Sequence, residues 1–333
     1  MALPSKGNIL VTGGAGFIGS ALVWALNQTG YENVIICDEL GTDEKWKNLV
    51  PLRYGDYIDA DELISGVRRG TGGFLGDVAA IFHLGACSAT TERDSGYLMR
   101  NNFAFTRDLA GWALARRARF VYASSAATYG DGAQGMSDSD EDLSKYRPLN
   151  MYGYSKHLFD SYAKRRGILK SIVGLKYFNI FGPNEAHKGD MRSVVDKAFK
   201  QIQETGKVGL FKSYRSDFAH GEQKRDFLYV KDAVTMTLHL ANQPLAGGLF
   251  NIGSGVPNSW VQLAEAIFAA LGRTPDIEFV EMPETLREKY QYYTCADVSK
   301  LHASGYAAEA MPLRDAVHDY VVNYLATGKH LGE

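Results

Sequence analysis

Short apolar runs alternate with longer amphipathic stretches through most of this chain. Asn8-Ile-Leu-Val-Thr12 reads as a strand, the glycines after it as a tight turn, and Phe17 onward as a helix. Asn33-Val-Ile-Ile-Cys37 is a second strand, ending at Asp38. Val78-Ala-Ala-Ile-Phe-His-Leu84 is apolar almost throughout, as in a central parallel strand buried on both faces. Arg119-Phe-Val-Tyr-Ala123 runs into hydroxyl side chains, and Ser171-Ile-Val-Gly-Leu-Lys-Tyr177 is a further core strand leading into a loop. The stretch from Asp131 to Pro148 is polar and turn-rich, a loop over whatever the strand ends carry. Later, Asp226-Phe-Leu-Tyr-Val230 leads into a helix and Gly248-Leu-Phe-Asn-Ile252 returns as a strand. Ser259 caps a helix whose apolar positions Leu263, Ile267 and Leu271 keep helical spacing, and Leu313 to Leu325 is another amphipathic helix. Strands alternating with helices predict an α/β protein built on a doubly wound parallel sheet. The expected division is residues 1–178 for the sheet-forming domain and 179–333 for a smaller one, with 229–258 packing back onto the first.

With 333 residues and 45 % hydrophobic content, the chain can bury a large core. A net charge of −2 and a pI of about 6.5 give no global field to recruit nucleic acid or an anionic membrane. No apolar run approaches the ~18 residues of a membrane span, and no charged segment followed by an apolar one reads as a signal peptide. The three cysteines Cys37, Cys87 and Cys295 form no Cys-x-x-Cys pair, which points to reduced thiols in a cytoplasmic protein. The eight histidines are scattered without metal-ligand spacing, so no metal is expected.

Gly13, Gly16 and Gly19 fall in the first turn and the start of the first helix, where a side chain would bar a pyrophosphate from the helix N-terminus. Asp38, about 20 residues further on, ends the second strand where an acid meets an adenosine ribose. Its carboxylate alone favours NAD, because it repels a 2′-phosphate. Lys45 and Lys47 in the polar loop that follows can neutralise that phosphate or simply face water. NADP is the preferred reading, with NAD left open. Asp56 is a candidate adenine contact. Gly85-Ala86-Cys87-Ser88 lets a cofactor lie over the carboxyl edge of the apolar strand. His83 reads as a satisfied buried histidine. Asn101 and Asn102 read as opening or capping the next helix, either one able to reach the cofactor.

Tyr152 and Lys156 stand four apart on one helix face. A free phenol has a pKa of about 10, and an ammonium held beside it lowers that value. The pair can take a proton from an alcohol while another group takes the hydride. Ser125 sits at the carboxyl end of its strand and can donate to a substrate oxygen, whereas period-2 alternation sends Ser124 to the opposite face. Lys188 follows the strand that ends near this site. Desolvated or near other cations it becomes a second base, and otherwise it is an ordinary surface lysine. Arg225 can grip a diphosphate bidentately or pair with Asp226 at the surface.

Gly13-x-x-Gly16-x-x-Gly19, Ser125-x-x-x-Tyr129-Gly130 and Tyr152-x-x-x-Lys156, in this order, resemble the extended short-chain dehydrogenase/reductase superfamily over essentially the whole chain. The resemblance implies a Rossmann-type sheet, Tyr152 as acid/base, Lys156 holding the nicotinamide ribose and tuning Tyr152, and Ser125 orienting the reacting hydroxyl. His187-Lys188-Gly189 after Gly182-Pro-Asn-Glu185 is similar to the epimerases of ADP-linked heptoses within that superfamily. So are Tyr122 to Gly130, Pro148 to Lys156, Gly85 to Glu92 and Lys289 to Asp297.

That likeness implies NADP, an ADP-heptose substrate destined for lipopolysaccharide inner core, Tyr152 and Lys188 as two acid/bases, and a homo-oligomer. It implies cofactor contacts at Phe17, Ile18, Asp38, Glu39, Lys45, Leu84, Gly85, Ala86, Cys87, Ser88, Asn101, Lys156, Ile180 and Lys188. Substrate contacts would be Asn179, Asp190, Lys197, Phe211, Lys212, Ser213, Tyr214, Arg225 and Tyr290. The chain departs from the pattern at Ala60, where the family can place a lysine, at Lys197, where it has histidine, and in a longer 213–223 segment.

The implied reaction is oxidation and reduction at C6″ through a ketone. Another sugar-nucleotide epimerase, of the UDP-hexose 4-epimerase type, or a 4,6-dehydratase is the alternative. A dehydratase would want an acidic pair beside Ser125, and Ser125-Ala126-Ala127-Thr128 offers none. A non-catalytic NADP-sensing module would be expected to have lost Tyr152, Lys156 or Ser125, and all three are present.

Overall fold

β1 (Asn8–Thr12), an interior strand, shows why the sheet is doubly wound. Its side chains alternate: Ile9 and Val11 enter one core, and Leu10 enters the other. All three are at most 1 % exposed, and complete burial of such a side chain is worth roughly 1.5–3 kcal/mol. The computed structural model describes residues 7–287 and 290–333.

The other strands of the first half are β2 (Val34–Asp38), β3 (Asp56–Asp59), β4 (Val78–His83), β5 (Arg119–Ala123) and β6 (Val173–Tyr177). β7 (Asn179–Phe181), β8 (Val208–Phe211), β9 (Lys224–Tyr229), β10 (Gly248–Ile252), β11 (Pro257–Ser259) and β12 (Ile277–Val280) follow. Seven strands form one sheet in the order β10-β6-β5-β4-β1-β2-β3, and every pairing in it is parallel. The order reverses between β1 and β4, which opens a crevice at their carboxyl ends. The sequence expectation of a doubly wound parallel sheet is met.

The helices that matter here are α1 (Phe17–Gln28), α2 (Ala60–Arg69), α3 (Ser95–Leu98), α4 (Phe105–Ala115), α5 (Met151–Arg165), α6 (Val194–Thr205), α7 (Val230–Asn242) and α8 (Trp260–Ala270). Leu22 and Leu26 of α1 and Val234 and Leu240 of α7 share the core of Ile9. Leu109 of α4 and Phe159 of α5 share that of Leu10. After α5 the chain adds β6 and then leaves the main sheet. β7, β9 and β11 form a three-stranded sheet and β8 pairs with β12, while β10 rejoins the main sheet beside β6.

Two local expectations change. Asn101 and Asn102 do not cap a helix: they lie inside a π-helical turn, Met99–Ala104, that joins α3 to α4, and Asp94 is the N-cap. The final helix is α-helical over Leu313–Tyr320 and π-helical over Val321–Leu325. In the first case a tertiary bond decides: Asn102 donates to the Cys87 carbonyl and accepts from the Cys87 amide, both at 3.0 Å.

Candidate active site

The glycine-rich turn is built for close approach. Gly13 has φ 68°, and a Cβ there would lie 2.7 Å from the Gly85 backbone. A Cβ on Gly19 would lie 1.9 Å from the Gly13 carbonyl oxygen. Gly16 is the N-cap of α1 and offers no side-chain partner to its first amides. Those N–H groups are therefore open to an anion, and the turn fits the diphosphate of a dinucleotide.

Asp38 closes the next edge. Its carboxylate accepts from the Ala15 amide at 2.9 Å, the Glu39 amide at 2.8 Å and the Lys45 ammonium at 3.1 Å. Lys45 is thus held beside the expected ribose position, whereas Lys47 pairs with Glu44 in solvent.

α5 starts where Asn150 accepts from the Gly153 amide at 2.8 Å. Gly153 lets the helix press on the turn after Ser125, since a Cβ would meet the Ala127 carbonyl oxygen at 2.7 Å. The Ser125 hydroxyl acts on the Tyr152 phenol and accepts from the Ala127 amide at 3.1 Å. The Lys156 ammonium donates to the Ala123 carbonyl at 2.8 Å. Burial lowers the Lys156 pKa to about 8, with Asp160 pulling the other way. Ser124 points away to Asp160 at 2.8 Å, as alternation requires.

The expected lowering of the Tyr152 pKa is not found. Burial raises it, the Ser125 hydrogen bond offsets part of that, and the Cys87 thiol adds to the rise. Desolvation of the phenolate is the largest cause, and Lys156 is not among the groups that shift it.

Lys188 reaches the same cleft from a 3-10 turn, Ala186–Met191, where Gly189 has φ 53°. Glu185, only 1 % exposed, closes that loop by accepting from the Ser193 amide and hydroxyl at 2.5 and 2.6 Å. The Lys188 ammonium sits 5.2 Å from the centre of the Phe17 ring. Burial lowers its pKa; Glu185 opposes the shift and Lys197 adds to it. It is not an ordinary surface lysine.

The cleft has a volume of about 530 Å³. It gathers Gly13, Gly16, Phe17, Ile18, Gly19, Asp38, Lys45, Leu84, Gly85, Ala86, Ser88, Ser125, Tyr152, Lys156, Asn179, Ile180 and Lys188 from seven separate stretches of chain. Cys87 lies just behind, with its thiol acting on Tyr152 and Lys156. Glu39 and Asn101 also lie off its walls, and Glu39 is exposed.

Asp56 is a correction. It opens β3 opposite Ile35, at the wrong end of a parallel pair, whereas Asp59 is level with Asp38. Adenine at the Asp38 rim would meet the Asp59 end of the strand.

Among the expected substrate residues, Arg225 is 7 % exposed, and its guanidinium stacks on the rings of Trp260 at 5.7 Å and Tyr290 at 5.1 Å. Phe211 meets the Tyr290 ring edge to face, and Trp260 continues the wall into the cleft. No carboxylate among the described residues pairs with Arg225. The surface pair with Asp226 is overturned, because Asp226 is buried and accepts instead from Ser254, Gly255 and Ala296 amides. Phe211, Arg225 and Tyr290 stand behind Trp260 and do not line the cleft themselves, and neither do Asp190, Lys197, Lys212, Ser213 and Tyr214. Lys197 donates to the Asp190 carbonyl, and Lys212 and Tyr214 both engage Glu281. Sequence reasoning passed over Trp260, Phe227 and His187, all cleft-lining. Only His187 carried a signal, its place beside Lys188.

A crevice at a strand-order reversal, a side-chain-free phosphate turn and a tyrosine–lysine–serine set define a Rossmann-type enzyme acting on alcohols with a nicotinamide cofactor. The model of the NAD dependent epimerase/dehydratase family matches residues 9–253, and the chain belongs to that family. It is 51 % identical over 317 residues to the ADP-L-glycero-D-manno-heptose-6-epimerase of Nitratidesulfovibrio vulgaris (strain DP4), covering 95 % of this chain and 98 % of the relative. The crystal structure of the Helicobacter pylori ADP-L-glycero-D-manno-heptose-6-epimerase superposes with TM-score 0.79 at 26 % identity, over 98 % of this chain and 100 % of that one. The UDP-glucuronic acid 4-epimerase of Bacillus cereus, in complex with UDP-glucuronic acid and NAD, superposes with TM-score 0.75 at 26 % identity, over 97 % and 100 %.

Among the described residues, no helix is long and apolar enough to cross a membrane.

Proposed function

We propose that the protein interconverts ADP-D-glycero-D-manno-heptose and ADP-L-glycero-D-manno-heptose at C6″, by transient oxidation to a 6″-ketone with NADP retained. The observation that carries this reading is the delivery of two proton carriers, Tyr152 and Lys188, to one cleft from different elements. The names of the near relatives support the substrate.

The bound nicotinamide supplies a reversible hydride acceptor for C6″. Tyr152 accepts the hydroxyl proton at its phenol oxygen, and Ser125, on the same cleft wall, holds the reacting oxygen in place. Lys156, fixed on the Ala123 carbonyl, presents its charge beside the ribose and the phenol. Lys188, with a lowered pKa, can serve as the amine that takes or gives the proton for the other epimer. Two acid/bases suit a ketone that must be reduced from either face. Pairing of Lys45 with Asp38 supports NADP, because the ammonium offsets the carboxylate that would repel a 2′-phosphate. Arg225, buried without a carboxylate partner among the described residues, suits the substrate diphosphate. A homo-oligomer in the cytoplasm completes the reading, the latter supported by three free cysteines.

The test is incubation of the purified protein with ADP-D-glycero-D-manno-heptose and no added cofactor, following the C6″ configuration by NMR. The expected result is an equilibrium mixture of the two epimers. An unchanged substrate, even with NADP or NAD supplied, would overturn the substrate assignment.

A further inference from the structure

We propose that His187 is a further contact to the bound dinucleotide, donating its Nε2–H to a phosphate oxygen. This rests on the cofactor part of the reading above.

Asn48 is buried, 2 % exposed. Its carboxamide nitrogen lies 2.9 Å from the Ala15 carbonyl oxygen and 3.1 Å from that of Asn184. Two acceptors fix which end of the amide faces them: only the nitrogen can. The same nitrogen is 3.3 Å from His187 Nδ1. The amide has two N–H groups for these three neighbours, so one is shared between a carbonyl and the imidazole. A proton on Nδ1 would point at an N–H that cannot accept it, so Nδ1 is the bare nitrogen. Burial pushes the imidazole pKa down, so the ring is neutral and its one proton is on Nε2. Among the described residues Nε2–H has no partner, and the side chain lines the cleft.

Position then names the acceptor. His187 feels the ammonium groups of Lys45 and Lys188 and the carboxylates of Asp43 and Asp38, so it lies between the ribose edge and the second lysine. Through Asn48 it is tied to Ala15, inside the glycine turn. A donor fixed relative to the start of α1 faces the region where phosphate gathers. A neutral donor grips a phosphate without adding a charge that would lower the Lys188 pKa further.

The test uses the full chain freed of nucleotide, with NADP⁺ and NAD⁺ binding measured for the wild type, His187→Ala and His187→Gln. The imidazole nitrogens of the wild type are followed by long-range ¹H–¹⁵N NMR. We expect about tenfold or greater weakening in His187→Ala, recovery of most of it by the amide donor of His187→Gln, and movement of the Nε2 resonance on binding. Equal loss for both dinucleotides assigns the diphosphate; loss confined to NADP⁺ assigns the 2′-phosphate; either supports the contact. Unchanged affinities, or equal losses in both variants with an unmoved Nε2 resonance, would overturn it and leave the cofactor reading intact. No binding by the wild type would instead remove the cofactor reading, and this inference with it.

Discussion

The ammonium of Lys176 lies 3.0 Å from a carboxylate oxygen of Asp160, with both side chains wholly shielded from solvent. The Asp160 carboxylate also accepts from the hydroxyls of Tyr122 and Ser124, each at 2.8 Å, and Lys176 donates to the Thr128 hydroxyl at 2.5 Å. Asp160 is one turn beyond Lys156 in α5, and Ser124 and Thr128 flank Ser125 on both sides. The pair therefore ties the helix that carries Tyr152 to the turn that carries Ser125. Removing one partner strands a buried charge, so Asp160→Ala should cost about 3–5 kcal/mol. Denaturant unfolding reads this directly, and a midpoint equal to the wild type would show that the pair contributes nothing.

Tyr152→Phe should lower turnover by about 10²–10⁴-fold while dinucleotide affinity stays the same. The pH profile follows from the two shifts. With the phenol pushed up by burial, turnover rises with pH as phenolate forms. Lys156 loses its charge as pH passes about 8, so the rise bends over there. In Lys156→Arg, whose guanidinium stays charged, the bend near pH 8 should vanish from the steady-state rates.

Lys188→Met should separate catalysis from stability. Burial lowers the folded-state pKa of Lys188, so the unfolded chain binds the proton more tightly and the charged form costs stability at neutral pH. Turnover should fall while the unfolding midpoint holds or rises. A variant that loses only cofactor affinity would make Lys188 a ligand and not a base.

His83 predicts an acid-side slope. It is held between Thr12 at 2.7 Å and Thr106 at 2.8 Å, and burial lowers its pKa to about 3, with Lys156 adding to the shift. The unfolded chain takes up this proton as pH falls through about 6.5, and the folded chain does not until about 3. Stability should therefore drop by about 1.4 kcal/mol per pH unit between those limits on account of this residue. His83→Gln should show a shallower loss between pH 7 and pH 5 when unfolding is measured at both.

Much of the frame was legible because it rests on local spacing. The alternation of β1, the glycines of the first turn and the Tyr152–Lys156 pair each depend on residues within a few positions of one another. Period 2 alone separated Ser125 from Ser124, and the structure turns Ser124 to Asp160 as that period demands. Asp56 was misread because the sequence gives the strand without its register, and register decides which end of β3 meets the cofactor rim.

The chain by itself determined the parallel sheet, the open phosphate turn and the tyrosine helix, since periodicity and backbone sterics act within each segment. Only the tertiary structure decided the charges and the neighbours. Whether Tyr152 is acidified, whether Lys188 is a surface lysine and whether Arg225 meets Asp226 all depend on desolvation by segments far away in sequence. Asn48 and His187, 139 positions apart, show the limit: their bond sets a tautomer, and no local pattern brings the two together.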